Sequence, residues 1–313
     1  MKMLILTVTL NAAIDKTYVI DHFALSQVNR TKEITALPGG KGINVARVAS
    51  ALGEEVIATG FVGGYNGKYV AKSLKEQAFQ CDFQEIREES RLCINILDND
   101  SSTEILENGP NIRPEELMAF LEKFDSLSKK SRVVAMSGSI PRGVTSAIYK
   151  QMIEIADRNG AYTILDSSGD SFIEGLKGRP YMVKPNKEEL EKVLGHSLDT
   201  DARICASIQQ YLNDGIQLFV LSMGSHGAFV GYNGEIFKAS PPIVDAVNPV
   251  GCGDALVAGF AIGIAQGMKI KEIIKLATAT AASNALHHGA GMVKKVEVEN
   301  YIKQVQVNKL MVF

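Results

Sequence analysis

From about Pro114 to Ser222 the chain repeats one pattern, and that pattern narrows its fold more than any other feature. Apolar residues at helical spacing over Glu115–Ser128 lead into a β-rich run at Arg132–Met136, and Thr145–Asn159 leads into Tyr162–Asp166. A strand at Tyr181–Val183 precedes a helix at Lys187–Leu194, and a helix at Asp201–Asp214 precedes a strand at Leu218–Ser222. Such alternation predicts an α/β fold, a parallel sheet with helices on both faces. Ligands of these sheets lie beyond the carboxyl ends of the strands. Four polar stretches fall there: Ser137-Gly138-Ser139, Asp166 to Gly169, Lys184-Pro185-Asn186, and Ser222 to Gly227.

The first third is less regular. Leu4–Leu10 reads as a buried strand, since its apolar run is brief, β-rich and followed by no convincing cleavage region. Tyr18–Phe23 and Lys32–Ala36 read as short exposed strands, and a glycine-rich turn at Pro38–Gly42 feeds a helix that ends at Gly53. Val56–Val62 is the next strand, followed by a helix ending near Phe79. Arg91–Leu97 and Thr103–Leu106 form a further strand pair joined by a polar turn at 98–102. The segments at about 12–37 and 89–108 break the rhythm and are expected to form a small separate sheet, a candidate lid. After residue 235 a strand, a second glycine turn and two Ala-rich helices complete the chain, their small residues implying close packing. At 313 residues the expectation is one α/β domain spanning 1–313, with the lid as a discontinuous appendage.

A formal net charge of −2 gives no electrostatic reason for a nucleic acid or an anionic membrane as partner. No apolar run is long enough to span a bilayer. The four cysteines, Cys81, Cys93, Cys205 and Cys252, have no metal-like spacing and read as free thiols, so a cytoplasmic location is expected.

The second glycine turn, Asn248-Pro249-Val250-Gly251-Cys252-Gly253-Asp254, runs directly into a small-residue apolar helix. Its free N–H groups and the helix N-terminus converge on one point, which makes an anion site. Asp254 is the carboxylate placed inside it. It either caps the loop or takes a proton from a hydroxyl that attacks a bound phosphate. Cys252 reads as a small residue between two glycines.

Gly39-Gly40-Lys41-Gly42-Ile43-Asn44-Val45-Ala46 and Asn248-x-x-Gly-x-Gly-Asp254, with this strand–helix order, resemble the carbohydrate kinase family of ribokinase and the phosphofructokinase-B enzymes. The resemblance covers essentially the whole chain. It implies a ribokinase-like three-layer α/β/α sandwich with a mostly parallel sheet and a small β-sheet lid. Thr7 to Asp15, Val28-Asn29-Arg30, Thr103 to Pro110 and Val247 to Gly251 look like the ketohexose-phosphate branch, which holds 1-phosphofructokinases and tagatose-6-phosphate kinases.

What the resemblance implies is residue-specific. Asp254 matches the base that deprotonates the sugar hydroxyl, and the backbone of Gly251, Cys252, Gly253 and Asp254 matches the anion hole. Asp15, Gly39, Gly40 and Asn44 match positions that hold the sugar, Arg91 matches one near its phosphate, and Ser139 lies where relatives contact substrate. Asn186 and Glu189 match the Asn-x-x-Glu that orders magnesium and phosphate, largely through water. Lys184 would reach the ATP phosphates, Ser222, Gly224 and Gly227 match the loop under the nucleotide, and Asn284 lies where the adenine pocket is completed. ATP and Mg2+ are the implied cofactors, and a homodimer through the lid is the implied assembly. Ala12-Ala13, Cys252 and Ala255 depart from the commoner residues without removing a backbone donor.

Bland readings stand beside several of these. Asn186 and Glu189 also spell a helix-capping pair, Asp15 can cap a turn, and Arg91 and Arg30 can be solvated. Lys41 can face phosphate or solvent. His287-His288 resembles a metal pair, but adjacent helical residues point apart, which favours a structural or surface role. The expected reaction is ATP-dependent phosphorylation of tagatose 6-phosphate, with fructose 1-phosphate second and fructose 6-phosphate undecided. A ribokinase or nucleoside kinase, or a non-catalytic sugar-phosphate sensor, are the alternatives.

Overall fold

Strand β1 (Ile5–Thr9) is buried at all five positions, as a strand covered on both faces must be. The chain next enters a small separate sheet with β2 (Ala13–Val19) and β3 (Glu33–Gly39), then returns through α1 (Lys41–Ala51), β4 (Val56–Gly63) and α2 (Gly64–Lys75). Short strands β5 (Gln80–Cys81) and β6 (Gln84–Ile86) pair with β4, and β7 (Arg91–Leu97) and β8 (Ser102–Leu106) rejoin the small sheet. There follow α3 (Pro114–Ser128), β9 (Val133–Ser137), α4 (Ile148–Arg158), β10 (Tyr162–Asp166), α5 (Gly169–Leu176), β11 (Met182–Val183), α6 (Lys187–Leu194), α7 (Asp201–Asn213) and β12 (Leu218–Ser222). The chain closes with β13 (Ala228–Tyr232), β14 (Glu235–Ser240), α8 (Cys252–Ala265), α9 (Ile270–Ala285), α10 (Lys295–Ile302) and β15 (Gln306–Leu310). This computed structural model describes residues 4–99 and 101–310.

The large sheet has the order β15-β14-β13-β12-β11-β10-β9-β1-β4-β5. It is parallel from β12 through β5 and antiparallel from β12 to β15. One face packs against a cluster that includes Phe120, Phe124, Tyr149, Met152, Phe172 and Ile208. The other packs against α1, α8 and α9 through Val45, Ala255, Val257, Phe260, Ile274 and Ala277. The small sheet has the order β3-β2-β7-β8, and it unites the two off-rhythm segments, far apart in sequence, through the parallel β2–β7 pairing.

Most expected elements stand within a few residues of their expected bounds. The first exposed strand is the main displacement: Ala13–Val19 replaces Tyr18–Phe23, because the strand pairs register with Glu33–Gly39 and Arg91–Leu97 and ends before the turn at Asp21. Helix α5 and strand β13 are additional, as are α10 and β15, so two Ala-rich helices do not end the chain. Strand β15 is a mostly exposed edge of mixed polarity, without the apolar alternation that marks a half-buried strand. The Ala/Gly richness of α8 and α9 is close packing: a side chain on Gly259 would collide with the Cα of Ala277.

Candidate active site

The 248–254 turn is held from several directions. Asn248 Oδ1 accepts the Val250 N–H at 3.0 Å, and its Nδ2 donates to His288 O at 2.7 Å. Gly251 is the N-cap of α8 at φ 84°, a left-handed conformation that suits glycine. A side chain there would also stand 2.9 Å from Ala290. The Cys252 amide donates to Pro249 O at 3.2 Å. Those of Gly251, Gly253 and Asp254 reach no backbone acceptor among the described residues. Three amides of the turn are thus free of backbone partners at the positive end of a 14-residue helix, an arrangement able to hold an anion.

Asp254 stands in the first turn of α8 and is buried. Its Oδ2 accepts Asn44 Nδ2 at 2.8 Å, and Asn44 Oδ1 in turn accepts Arg47 Nη1 at 2.9 Å. Arg47 also donates to Pro38 O and Ala290 O, so one guanidinium ties together both glycine-turn regions and fixes the orientation of the Asn44 amide. Burial and then the Asp166 charge push the Asp254 carboxyl up to about 6, against the pull of Lys41, Asn44 and Lys184. A poised carboxylate of this kind is chemically able to accept a proton from an alcohol near neutral pH.

Two cations stand beside it. Lys41 Nζ and Lys184 Nζ lie 3.2 and 3.3 Å from the same Asp166 oxygen. Burial alone would raise the Asp166 carboxyl, but Lys184 and Lys41 together hold it below the usual carboxylate range. A methyl group on Gly253 would stand 3.6 Å from Lys184 Nζ, which puts that ammonium at the glycine turn. Lys41 thus faces the site and not only solvent. Asp166 and Arg47 carried no assigned role from sequence; the signal for Asp166 was its position at the carboxyl end of a buried strand.

The sugar-side candidates form a neighbouring group. Asp15 on β2 presses against Gly39 on β3 so closely that any side chain on Gly39 would collide with its carboxylate. Burial raises the Asp15 carboxyl, with Arg91 and Arg47 opposing. Gly40, at φ 117°, caps α1 where a side chain would meet Thr9. Ser139 Oγ accepts Asn11 Nδ2 at 3.2 Å. Arg91 donates to Asn11 O at 3.1 Å and Glu107 O at 3.3 Å, and it lines a cavity of about 370 Å3 with Glu107, Gly109 and Arg142. Arg142 is a second guanidinium at this cavity, where it lies 3.6 Å from Glu88, and no motif in the sequence marks it.

Beyond β11 the other candidates divide. Asn186 and Glu189 form a reciprocal capping box at the start of α6, Asn186 Oδ1 accepting Glu189 N at 2.8 Å and Glu189 Oε2 accepting Asn186 N at 2.9 Å. Ser222 bridges to Asn186 across the strand ends, and its Oγ lies 3.5 Å from Pro185 O. Gly224, at φ 58°, opens a single 3-10 turn, and a side chain on Gly227 would collide with Ala239 O. Asn284 is fully buried and acts as a staple: its Nδ2 donates to Val250 O at 2.9 Å and its Oδ1 accepts Gly291 N at 2.8 Å. Both polar ends of that side chain are engaged by the protein, since the turn and the 290 loop close over it.

Arg30 is exposed. His287 pairs with Glu297 at 2.9 Å. No group of three His, Cys, Asp or Glu side chains among the described residues could cage a metal. One Glu189 oxygen already serves the capping box, so this donor set fits a hydrated magnesium contacted through its waters better than a directly ligated ion. No helix among the described residues is long and apolar enough to cross a membrane.

A model of the pfkB family of carbohydrate kinases matches residues 8–295. Tagatose-6-phosphate kinases from two strains of Staphylococcus epidermidis are each 38% identical over 307 residues, covering 97% of this chain and 99% of theirs. Phosphofructokinase-2 from Escherichia coli, solved in complex with potassium, superposes at a TM-score of 0.90 with 23% identity, covering 97% of this chain and 98% of that one. Arabidopsis thaliana ribokinase, solved with ribose and ATP, superposes at 0.77 with 20% identity over 97% and 99% of the two chains. Those two superpositions share the ribokinase-like layering, a large mostly parallel sheet between helices with a small sheet beside it. The chain belongs to the pfkB family of carbohydrate kinases.

Proposed function

We propose that this kinase transfers the γ-phosphoryl group of ATP to a ketohexose monophosphate, with tagatose 6-phosphate the first substrate and fructose 1-phosphate the second. The observation that carries the reading is the Asp254 carboxylate, raised to about 6 and oriented by Asn44 at the mouth of the three-amide turn. The 38% identity to tagatose-6-phosphate kinases supports the choice of sugar. Arg91, whose guanidinium donates only to backbone carbonyls among the described residues, stands at the cavity where a sugar's phosphate can meet it.

In this reading Asp15, Gly39, Gly40 and Asn44 hold the sugar, Arg91 receives its phosphate, and Ser139 contacts the substrate from its strand end. Asp254 then takes the proton of the attacking hydroxyl. Charge growing on the transferring group meets the amides of Gly251, Gly253 and Asp254 and the ammonium groups nearby, and these groups are already oriented when it develops. Lys184 serves the ATP phosphates, and Ser222, Gly224 and Gly227 form the floor under the nucleotide. Asn284 acts at one remove, by holding the turn. Magnesium neutralises phosphate charge when it accompanies the nucleotide, and Asn186 and Glu189 would hold its waters. The small sheet, built from segments 12–37 and 89–108, closes over the sugar and keeps water from competing as nucleophile. Its exposed Ile34, Ile105 and Leu106 suit pairing with the sheet of a second copy in a homodimer.

The test is ATP consumption by purified protein against tagatose 6-phosphate, fructose 1-phosphate, fructose 6-phosphate and ribose. Turnover on the first at the highest kcat/KM is expected. Turnover on ribose alone would overturn the branch assignment.

A further inference from the structure

We propose that Asp166 is a positioning residue for the phosphoryl transfer: one of its carboxylate oxygens docks the Lys41 and Lys184 ammonium groups beside the glycine turn. The three side chains come from separate elements, the start of α1, the end of β10 and the residue after β11. They meet only because the sheet brings those termini together. Both lysines contact the same oxygen, at 3.2 and 3.3 Å. Two ammonium groups held that close repel each other unless an anion stands between them. Lys184 is only 4% exposed, and a buried ammonium needs a counter-ion to stay charged.

The second Asp166 oxygen, Oδ2, is buried without a hydrogen-bond partner, which is uncommon for a group retained for structure alone. Among the described residues, no side chain other than the two lysines bonds to the Asp166 carboxylate. The lysines differ in freedom: Lys184 is enclosed, whereas the Lys41 side chain is 39% exposed and has room to lean toward a bound phosphate. Asp166 therefore keeps two positive charges in place before substrate arrives, and the empty site carries no large net charge. Lys41, which the sequence leaves between phosphate and solvent, becomes the mobile member of the pair.

The inference rests on the kinase reading above. The charged and titratable groups that act on or beside Asp254 are Lys41 and Arg47 from α1, Asp166 from β10, Lys184 after β11, and Cys252 on its own turn. Each substitution in the triad has a signed consequence for the base. Asp166→Asn removes a negative neighbour of Asp254, so the acid limb of the kcat profile moves to lower pH. Lys41→Gln removes a positive neighbour, so the limb moves to higher pH.

The experiment measures kcat and the KM for ATP across the pH profile for the wild type, Asp166→Asn and Lys41→Gln, with thermal melts to establish folding. Opposite displacements of the two limbs are expected, with a fall of roughly 10- to 100-fold in kcat/KM for ATP in Asp166→Asn. A merely structural role would lower the melting temperature and leave the limbs in place. Limbs that coincide with the wild type's, or kcat/KM for ATP within about twofold of it, overturn the proposal. If Asp166→Asn does not fold, Asp166→Glu, which keeps the charge and moves the docking oxygen, decides by kcat/KM for ATP against the same bound of about twofold. Absence of wild-type turnover on every sugar phosphate would instead overturn the proposed function.

Discussion

At the scale of the residue, Asp254 joins two demands that oppose each other. Its folded-state carboxyl is raised to about 6, so the protonated form is favoured in the fold and stability declines as pH climbs through that value. The base works only when deprotonated, so kcat is expected to rise through about pH 6 as stability falls. We predict that Asp254→Asn lowers kcat by roughly 10²- to 10⁴-fold and leaves the KM for ATP nearly unchanged. At pH above 7 the same variant should be more stable by about 1–3 kcal/mol, because no buried charge remains. Steady-state kinetics and urea unfolding check the two halves, and near-normal kcat would remove Asp254 from its role. Arg91→Ala should raise the KM for the sugar phosphate roughly 10- to 100-fold, the worth of a hydrogen bond to a charged group, while the KM for ATP holds. The Asp254, Asn44, Asp15 and Gly251 positions were legible in the sequence because motif spacing carries them. Asp166, Arg47 and Arg142 were not, since each acquires its meaning from side chains that approach from remote segments.

At the scale of the element, α8 shows how composition becomes geometry. Its first turn presents free amides, and its remaining length lies against α9 at a distance that excludes side chains at Gly259 and Gly263. Gly259→Val is expected to destabilise the protein by about 1–3 kcal/mol through overpacking, measured by chemical denaturation. It should also lower kcat more than it changes either KM, since a displaced α8 carries Asp254 with it. The capping box at α6 is a second instance. Asn186 and Glu189 spell a capping motif and a family motif in the same letters, and they make both hydrogen bonds of the cap. Strand β15 has little apolar alternation to mark it in the sequence, because an edge strand owes its existence to a neighbour's hydrogen bonds.

At the scale of the whole molecule, the small sheet and the large one meet around the site. Strand β2 carries Asp15, β3 runs into Gly39, and β7 begins at Arg91, so motion of the small sheet moves all three sugar-side candidates together. Closure of the small sheet should appear as slower amide exchange in β2, β3, β7 and β8 when tagatose 6-phosphate is added with a non-hydrolysable ATP analogue. Unchanged exchange would count against a lid. Sedimentation of the wild type and of Ile34→Glu tests the homodimer, which the charge should dissociate. The sequence by itself determined the α/β class, the helix–strand rhythm from Pro114 to Ser222 and the two glycine turns, because periodicity and backbone freedom are local properties. Only the tertiary structure decided which groups share the space between those turns. The Arg47–Asn44–Asp254 chain and the two lysines on Asp166 depend on approach of residues far apart in sequence. Charge and burial act through distance in space, and a linear sequence does not contain that distance.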